Sequence, residues 1–349
     1  MNKISLIGKT FEELKAIVSE LGMPAFTAKQ ISEWLYKKRA MHIDEMSNVS
    51  AKNRALLNEQ YEIGRNLPVQ TMESTDGTKK YLFKTEGGHF IETVYIPEED
   101  RATLCVSSQV GCKMGCLFCM TGKQGFVAQL TTAEIMNQIM SIPEAATLTN
   151  LVFMGMGEPF DNTLPMLRSL DILTADYGYA WSARRITVSS IGLIPGMKVF
   201  LEKSNCHLAI SMHSPFSHER LQLMPVEKSF PLAKVLEELQ KYDFSKQRRV
   251  SFEYILFSGI NDTMRHAVEL VKILKGIDCR VNLIRFHAIP GVDMKSYGSE
   301  KMDFFRDYLT SNGVTATIRR SRGEDIFAAC GMLSTIENEK TEAKEEPQA

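Results

Sequence analysis

Near the N-terminus, apolar side chains recur at helical spacing. Phe11, Leu14, Ile17, Val18 and Leu21 form one stripe, and Ile31, Trp34 and Leu35 form a second after the polar opening Thr27 to Gln30. This pattern predicts a small all-helical domain over residues 1–65. From about residue 78 the period shortens to two. Segments 80–84 and 89–96 alternate as strands, turned at Glu86-Gly87-Gly88, within a connecting segment 66–100. Beyond residue 101 strands and helices take turns. Strands are predicted at 103–108, 149–154, 186–190, 206–212, 250–256 and 280–286. Helices are predicted between them at 131–142, 163–176, 196–203, 231–242 and 263–275. That order implies an α/β core over 101–290, with a parallel sheet and right-handed crossovers. A helix at 299–312 and a strand at 314–319 belong to a C-terminal extension, 291–336. The tail, 337–349, carries five acidic and two basic residues and is expected to be disordered.

Composition changes little in this picture. Hydrophobic content of 44% and charged content of 24% are ordinary for a globular protein. No stretch approaches the roughly 18 apolar residues of a membrane span, and the first residues lack the apolar centre of a secretion signal. Seven cysteines, three of them clustered, suit a reducing cytoplasm better than a disulfide framework. The net charge is −1, and without the acidic tail the body is about +2. Basic pairs and triplets recur at Lys37-Lys38-Arg39, Lys79-Lys80, Arg184-Arg185, Arg248-Arg249 and from Arg319 to Arg322. They make a phosphate-contacting surface only if the fold gathers them. The helical domain reads equally as a packing appendage or as an RNA-binding arm.

The most specific stretch is Cys112-Lys-Met-Gly-Cys116-Leu-Phe-Cys119, a C-x3-C-x2-C loop. Zinc sites pair two C-x2-C knuckles, or one with a His pair, and no second knuckle exists here. Buried structural thiols would not need the glycine and lysine between them. A cubane [4Fe–4S] cluster normally takes four thiolates, so three leave one iron open to a small molecule. This spacing resembles the signature of radical S-adenosylmethionine (SAM) enzymes, and the strand–helix order resembles their partial (β/α)6 barrel. The resemblance implies that SAM chelates the open iron.

In parallel barrels ligands lie past the C-terminal ends of the strands. The second predicted strand runs into Met154-Gly-Met-Gly157-Glu158-Pro159, the third ends in Ser189-Ser190, the fourth in Ser211-Met212-His213-Ser214 and the sixth in Arg285-Phe286-His287. One such residue is usually a turn satisfier; four polar ends on one rim favour a site. Cys206 and Cys279 lie beside apolar runs and read as inert. Cys105 sits within a strand, while Cys330 lies in a stretch of small and polar residues, so it is either buried or a reactive loop thiol.

Taken together, the run Cys105 to Cys112, the cluster loop, the stretch Met120 to Phe126, the Met154 to Pro159 motif, Ser211 to Pro215, Leu223-Met-Pro225 and Ala329-Cys330-Gly331 resemble the RlmN/Cfr family of radical SAM RNA methyltransferases. The resemblance spans residues 10–335. It implies methylation of adenine C2 in 23S ribosomal RNA and in tRNA next to the anticodon; the Cfr-type branch methylates C8 instead. The stretches Gln124 to Phe126 and Glu92 to Pro97 look more like the C2 branch. A non-catalytic RNA-binding protein with a structural metal is the reading from another class.

Carried onto this chain, the resemblance gives Cys112, Cys116 and Cys119 to one [4Fe–4S] cluster. It gives Gly157, Glu158, Ser189, Ser211, Met212 and His213 to SAM, with His287 where the family usually has Asn. Cys330 accepts a methyl group from a first SAM. A radical generated from a second SAM converts it to a methylene radical that adds to the base. Glu92 takes the C2 proton, although read alone it is an exposed strand carboxylate with a cross-strand basic partner. Cys105 releases the product by forming a disulfide with Cys330, which a reductant reopens. An electron donor such as flavodoxin or ferredoxin is implied, and a monomer is the default.

Overall fold

A computed structural model describes residues 3–244, 250–296 and 298–335. The expected disorder of the tail, and the basic pair at 248–249, lie outside those residues. The N-terminal region holds α1 (Phe11–Glu20), α2 (Thr27–Ser32) and α3 (Ala51–Gln60). Thr10 and Glu13 close a capping box at the start of α1, each satisfying a backbone N–H of the other. The region is not purely helical. Strands β1 (Ile4–Ser5) and β2 (Tyr61–Glu62) pair in parallel and bring its two ends together. Two-residue strands carry too little alternation to register as a pattern.

This region shares one hydrophobic core with the rest of the chain, from Leu6 and Leu14 through Ile139 to Leu270. Phe11 stacks on Tyr177 at 5.4 Å. Asn66 and Asn137 exchange two 2.9 Å hydrogen bonds, fastening the connecting segment to α5 (Thr132–Met140).

The main sheet has ten strands. Strands β3 (Gln70–Glu73), β4 (Lys79–Lys84) and β5 (Phe90–Pro97) form an antiparallel edge. Strand β5 pairs with β6 (Ala102–Cys105), where the direction changes. From β6 the order runs in parallel through β9 (Asn150–Phe153), β10 (Ile186–Ser190), β11 (His207–Ser211), β12 (Val250–Leu256), β13 (Cys279–Arg285) and β14 (Thr315–Ile318). Helices α6 (Thr163–Thr174), α7 (Ile194–Lys203), α8 (Ser217–Leu223), α9 (Leu232–Leu239), α10 (Met264–Leu274) and α11 (Ser299–Ser311) occupy the crossovers. The two outer strands, β3 and β14, are not neighbours, so the parallel part is an open barrel. Its last strand, β14, is a seventh parallel member contributed by the C-terminal extension.

The predicted strand 103–108 ends early. After Cys105 the chain turns into β7 (Gln109–Gly111), which pairs with β8 (Phe126–Gln129) outside the main sheet. Between them hangs the cysteine loop and the short helix α4 (Met120–Gln124). The small β7–β8 sheet therefore closes the base of the loop. Gly111, at φ +70°, could not carry a side chain there, because a Cβ would lie 1.7 Å from the Gly125 carbonyl oxygen.

Candidate functional site

The parallel strands β6 and β9 to β14 share one direction, and the cysteine loop follows the C-terminal end of β6 by way of β7. Cys112 donates its N–H to Gly125 O at 2.9 Å, and Cys119 begins α4. The backbone near Met114 donates to the Cys112 sulfur, and Thr121 and Gly122 donate to that of Cys119. Such N–H···S bonds favour thiolate over thiol. Burial acts the other way: it pushes the Cys112 thiol up to about 12, raises Cys119, and raises Cys116 furthest. The three sulfurs also feel one another's charge.

A loop of one buried and two half-buried thiols preset with N–H donors fits a cationic cluster, which replaces their protons and relieves their mutual repulsion. Among the described residues, no group of three or more His, Cys, Asp or Glu side chains is arranged to hold a single metal ion. A cubane does not ask for that arrangement, because its thiolates bind separate irons.

Around the loop lies a second apolar cluster, distinct from the main core. Cys116, Phe118, Ile191, Leu223, Phe257, Ile284, Phe286, Ala329 and Met332 belong to it. It seals the barrel mouth against water, which favours chemistry that solvent would quench. His213 is held there edge-on to Phe118, with ring centroids 4.7 Å apart. Its Nδ1 accepts from Ile255 N at 3.0 Å, its backbone has φ 57°, and burial pushes the imidazole down to about 3. At neutral pH it is uncharged, with Nε2 as the donor.

The expected cofactor residues take more structural work than their sequence positions suggest. The two oxygens of Glu158 accept from Phe160 N and Ile191 N, each at 3.0 Å. Burial raises its carboxyl to about 7. The Ser190 side chain hydrogen-bonds the carboxyl as well, and the lone pair that remains suits an ammonium group. Gly157 has φ 97°, and a Cβ there would meet Gln109 Cβ at 2.5 Å. Its need for glycine is thus explained by Gln109, whose Oε1 accepts from Glu158 N at 2.7 Å. Ser189 is second to last in β10, Ser211 ends β11 and Met212 is fully buried.

A residue missed in the sequence ties these ends together. Arg220, fully buried in α8, forms an ion pair with Glu227. It also donates to Ile191 O at 2.8 Å, Ser211 O at 3.1 Å and Met212 O at 3.2 Å. No predicted helix covers residues 217–223, so nothing in the sequence singles it out. Removing one partner of a buried pair strands the other, so Arg220→Ala is expected to destabilise the fold by about 3–5 kcal/mol. Urea unfolding should register that loss, together with weaker SAM binding from misplaced Ser211 to His213.

A cavity of about 750 Å³ runs into the barrel, a size suited to a small-molecule or nucleotide ligand. Cys105, Cys119, His287 and Cys330 all line it. Glu92, Gly157, Glu158, Ser189, Ser211, Met212 and His213 are not part of that wall. Cys105 is buried, and its thiol is pushed up to about 12, first by burial and then by the charge of Cys330. His287 faces Glu324 at 3.1 Å and Ser321 at 3.3 Å, both in the C-terminal extension. Its imidazole is lowered by burial, with Glu324 opposing.

The extension is fastened to the cysteine loop along its length. Met120 N donates to Gly331 O at 2.8 Å, Thr121 Oγ1 to Leu333 O at 2.7 Å and Gln124 Nε2 to Thr335 Oγ1 at 2.7 Å. Glu92 is not the exposed carboxylate that its strand suggested. It is 3% exposed, paired with Lys80 at 2.8 Å and accepting from Ser334 N at 2.9 Å. The expected basic partner across the strands is real, but the C-terminal extension buries the pair. Burial raises the carboxyl and Lys80 opposes that.

Two basic blocks converge on the cavity: Arg185 from one, and Arg319, Arg320 and Arg322 from another, joined by Arg101 and Arg280. The pair Lys79-Lys80 turns inward to Glu144 and Glu92 instead. A wall rich in guanidinium groups suits a polyanion.

Residues 4–63 match the family described as ribosomal RNA large subunit methyltransferase N-terminal domain, and residues 106–271 match the radical SAM superfamily. A probable dual-specificity RNA methyltransferase RlmN of Phocaeicola vulgatus is 62% identical over 338 residues, covering 97% of each chain. The dual-specificity RNA methyltransferase RlmN of Syntrophus aciditrophicus is 40% identical over 96% of this chain and 97% of its own. The crystal structure of a radical SAM methyltransferase from Sphaerobacter thermophilus superposes with a TM-score of 0.89 at 38% identity, covering 95% of this chain and 99% of that one.

Proposed function

Since the chain belongs to the RlmN family of radical SAM RNA methyltransferases, we propose that it methylates adenine C2 in 23S ribosomal RNA, and in tRNA next to the anticodon, by way of a methyl group carried on Cys330. The family's cofactors are a [4Fe–4S] cluster and SAM; when bound they supply the methyl group and a carbon-centred radical. Cys112, Cys116 and Cys119 hold the cluster. Gly157, Glu158, Ser189, Ser211, Met212, His213 and His287 bind SAM, two molecules of which are consumed per methylation.

The observation that carries this reading is the meeting of Cys105, Cys119 and Cys330, far apart in sequence, on the wall of one cavity. Adenine C2 is an electron-poor amidine carbon and will not attack a methyl sulfonium as a nucleophile. A carbon radical carried on a protein sulfur avoids that difficulty. Cys330 loses its proton and gains a methyl group. After the carrier carbon has joined the base as a radical adduct, Glu92 accepts the C2 proton and the unpaired electron passes to the one-electron carrier of flavodoxin or ferredoxin type. The Glu92 oxygens accept from Lys80 and from Ser334 N–H, and each keeps a second lone pair for that proton. Cys105 then attacks the Cys330 sulfur; the sulfur–carbon bond breaks, the released carbon is protonated to a methyl group, and the two sulfurs form a disulfide. An external thiol reductant returns both thiols.

The arginine-rich wall contacts RNA phosphates, and the helical N-terminal region (1–65) serves as an RNA-binding arm. The connecting segment 66–100, the core 101–290 and the extension 291–336 assemble the catalytic part. An electron donor of flavodoxin or ferredoxin type reduces the cluster, and the enzyme works as a cytoplasmic monomer. Among the described residues no helix is long and apolar enough to cross a membrane.

The test is the product isomer. RNA methylated by the reduced, reconstituted enzyme and digested to nucleosides should yield 2-methyladenosine. Recovery of 8-methyladenosine would contradict the assignment.

A further inference from the structure

Within β12 all seven residues are buried, and six of them are apolar or small enough for a barrel wall; the exception is Glu253. Its Oε1 is fixed by Asn282 Nδ2 at 2.7 Å and Ser251 Oγ at 3.3 Å. Its Oε2 is buried and, among the described residues, accepts no hydrogen bond. The nearest cation is Arg319, whose Nη1 stands 4.0 Å away, too far for a hydrogen bond, and lies 3.1 Å from the Met154 sulfur. The carboxyl is 4% exposed and lines the cavity with Ser251, Asn282 and Arg319. The other carboxylates on that wall, Glu98 and Asp278, are exposed. A buried carboxylate oxygen left without a donor is unfavourable by itself. What it lacks is an N–H or O–H brought in through the cavity.

We propose that Glu253, held by Asn282 and Ser251, reads the exocyclic amine of the acceptor adenine. This rests on the proposal that the substrate is adenine methylated at C2. In adenine the amine on C6 and the carbon C2 flank N1 on the same edge of the ring. A base that offers C2 to the cysteine sulfurs therefore carries its amine deeper or alongside, on that edge. Glu253, Arg319, Cys105 and Cys330 line one cavity, and the Arg319 guanidinium feels the charge of Cys330, Glu253 and Cys105. The amine is the one donor among adenine's ring-edge groups, since N1, N3 and N7 only accept. Guanine would set its O6 against the carboxylate, so the same contact rejects it.

The test compares two substrate RNA stem-loops, one with adenosine and one with purine riboside, which lacks the amine, at the target position. Wild-type holoenzyme should prefer adenosine by roughly ten- to a hundredfold in kcat/KM. In Glu253→Gln that preference should shrink to within about threefold, because an amide oxygen is a weaker acceptor than a carboxylate. Intrinsic reactivity of the two bases cancels in the ratio of ratios. An adenosine preference that is the same in wild type and Glu253→Gln would overturn the proposal. So would a Glu253→Gln enzyme of unchanged iron content that slows equally on both RNAs while its KM for SAM rises; the carboxylate would then face the cofactor. If the wild type makes no 2-methyladenosine from the adenosine RNA, the functional reading fails first, and separately.

Discussion

Replacing Cys105 with Ala is expected to leave RNA covalently attached to Cys330, with turnover falling below one product per chain. The two thiols are in unequal surroundings. Cys105 is 8% exposed, and burial drives its thiol up to about 12. At pH 7 only roughly one molecule in 10⁵ then carries it as thiolate. A thiol so fully protonated is a poor methyl acceptor, which leaves that step to the more exposed Cys330. Arg319 lowers the Cys105 thiol, so the resolving attack uses that guanidinium to stabilise the thiolate and a separate base to take up the proton. Without Cys105 the remaining thiol on the cavity wall, Cys119, is committed to the cluster, which leaves the sulfur–carbon link unbroken. Denaturing gels of the reaction should show a slow band that contains both RNA and protein. The companion variant, Cys330→Ala, should make neither adduct nor methylated RNA while keeping about four irons per chain. Free methylated RNA from either variant would break the assignment of roles.

Substituting Ala for Cys116 should be equally severe for a different reason. Cys116 is buried beside Phe118 in the apolar seal, and its neighbour Leu117 donates its N–H to Leu223 O at 2.9 Å. The loop backbone is therefore held by protein contacts, and the variant should fold. With two thiolates left, a cubane has too few anchors, and iron should fall from about four per chain to near zero. The brown colour, SAM cleavage under reducing conditions and RNA methylation should vanish together. Iron retained at the wild-type level would mean that Cys116 is not a ligand.

The sequence made the parallel core legible because its strands are short apolar runs between well-spaced helices. The 250–256 run is all buried, as an inner parallel strand should be. The cysteine loop was legible because its whole signal is local. Cys105 and Cys330 were legible only through family resemblance, since no spacing rule connects residues brought together by a sheet and a returning tail. Other features were hidden. Arg220 lay outside every predicted helix, yet it holds the strand ends from inside. Glu92 resembled an exposed strand carboxylate until residues 327–334 covered it. Glu253 did leave a trace: a lone carboxylate inside an apolar run has to find a partner or lack one. The N-terminal β1–β2 pair was too short to leave any.

The central claim is that Cys330 carries the methyl group before RNA does. Incubating the anaerobic holoenzyme with methyl-labelled SAM in the absence of RNA, then digesting it and weighing the peptide that contains Cys330, tests this directly. The account predicts one labelled methyl group on the Cys330 sulfur and its transfer to RNA added afterwards. An unlabelled Cys330 peptide, from enzyme that still methylates RNA, would contradict it.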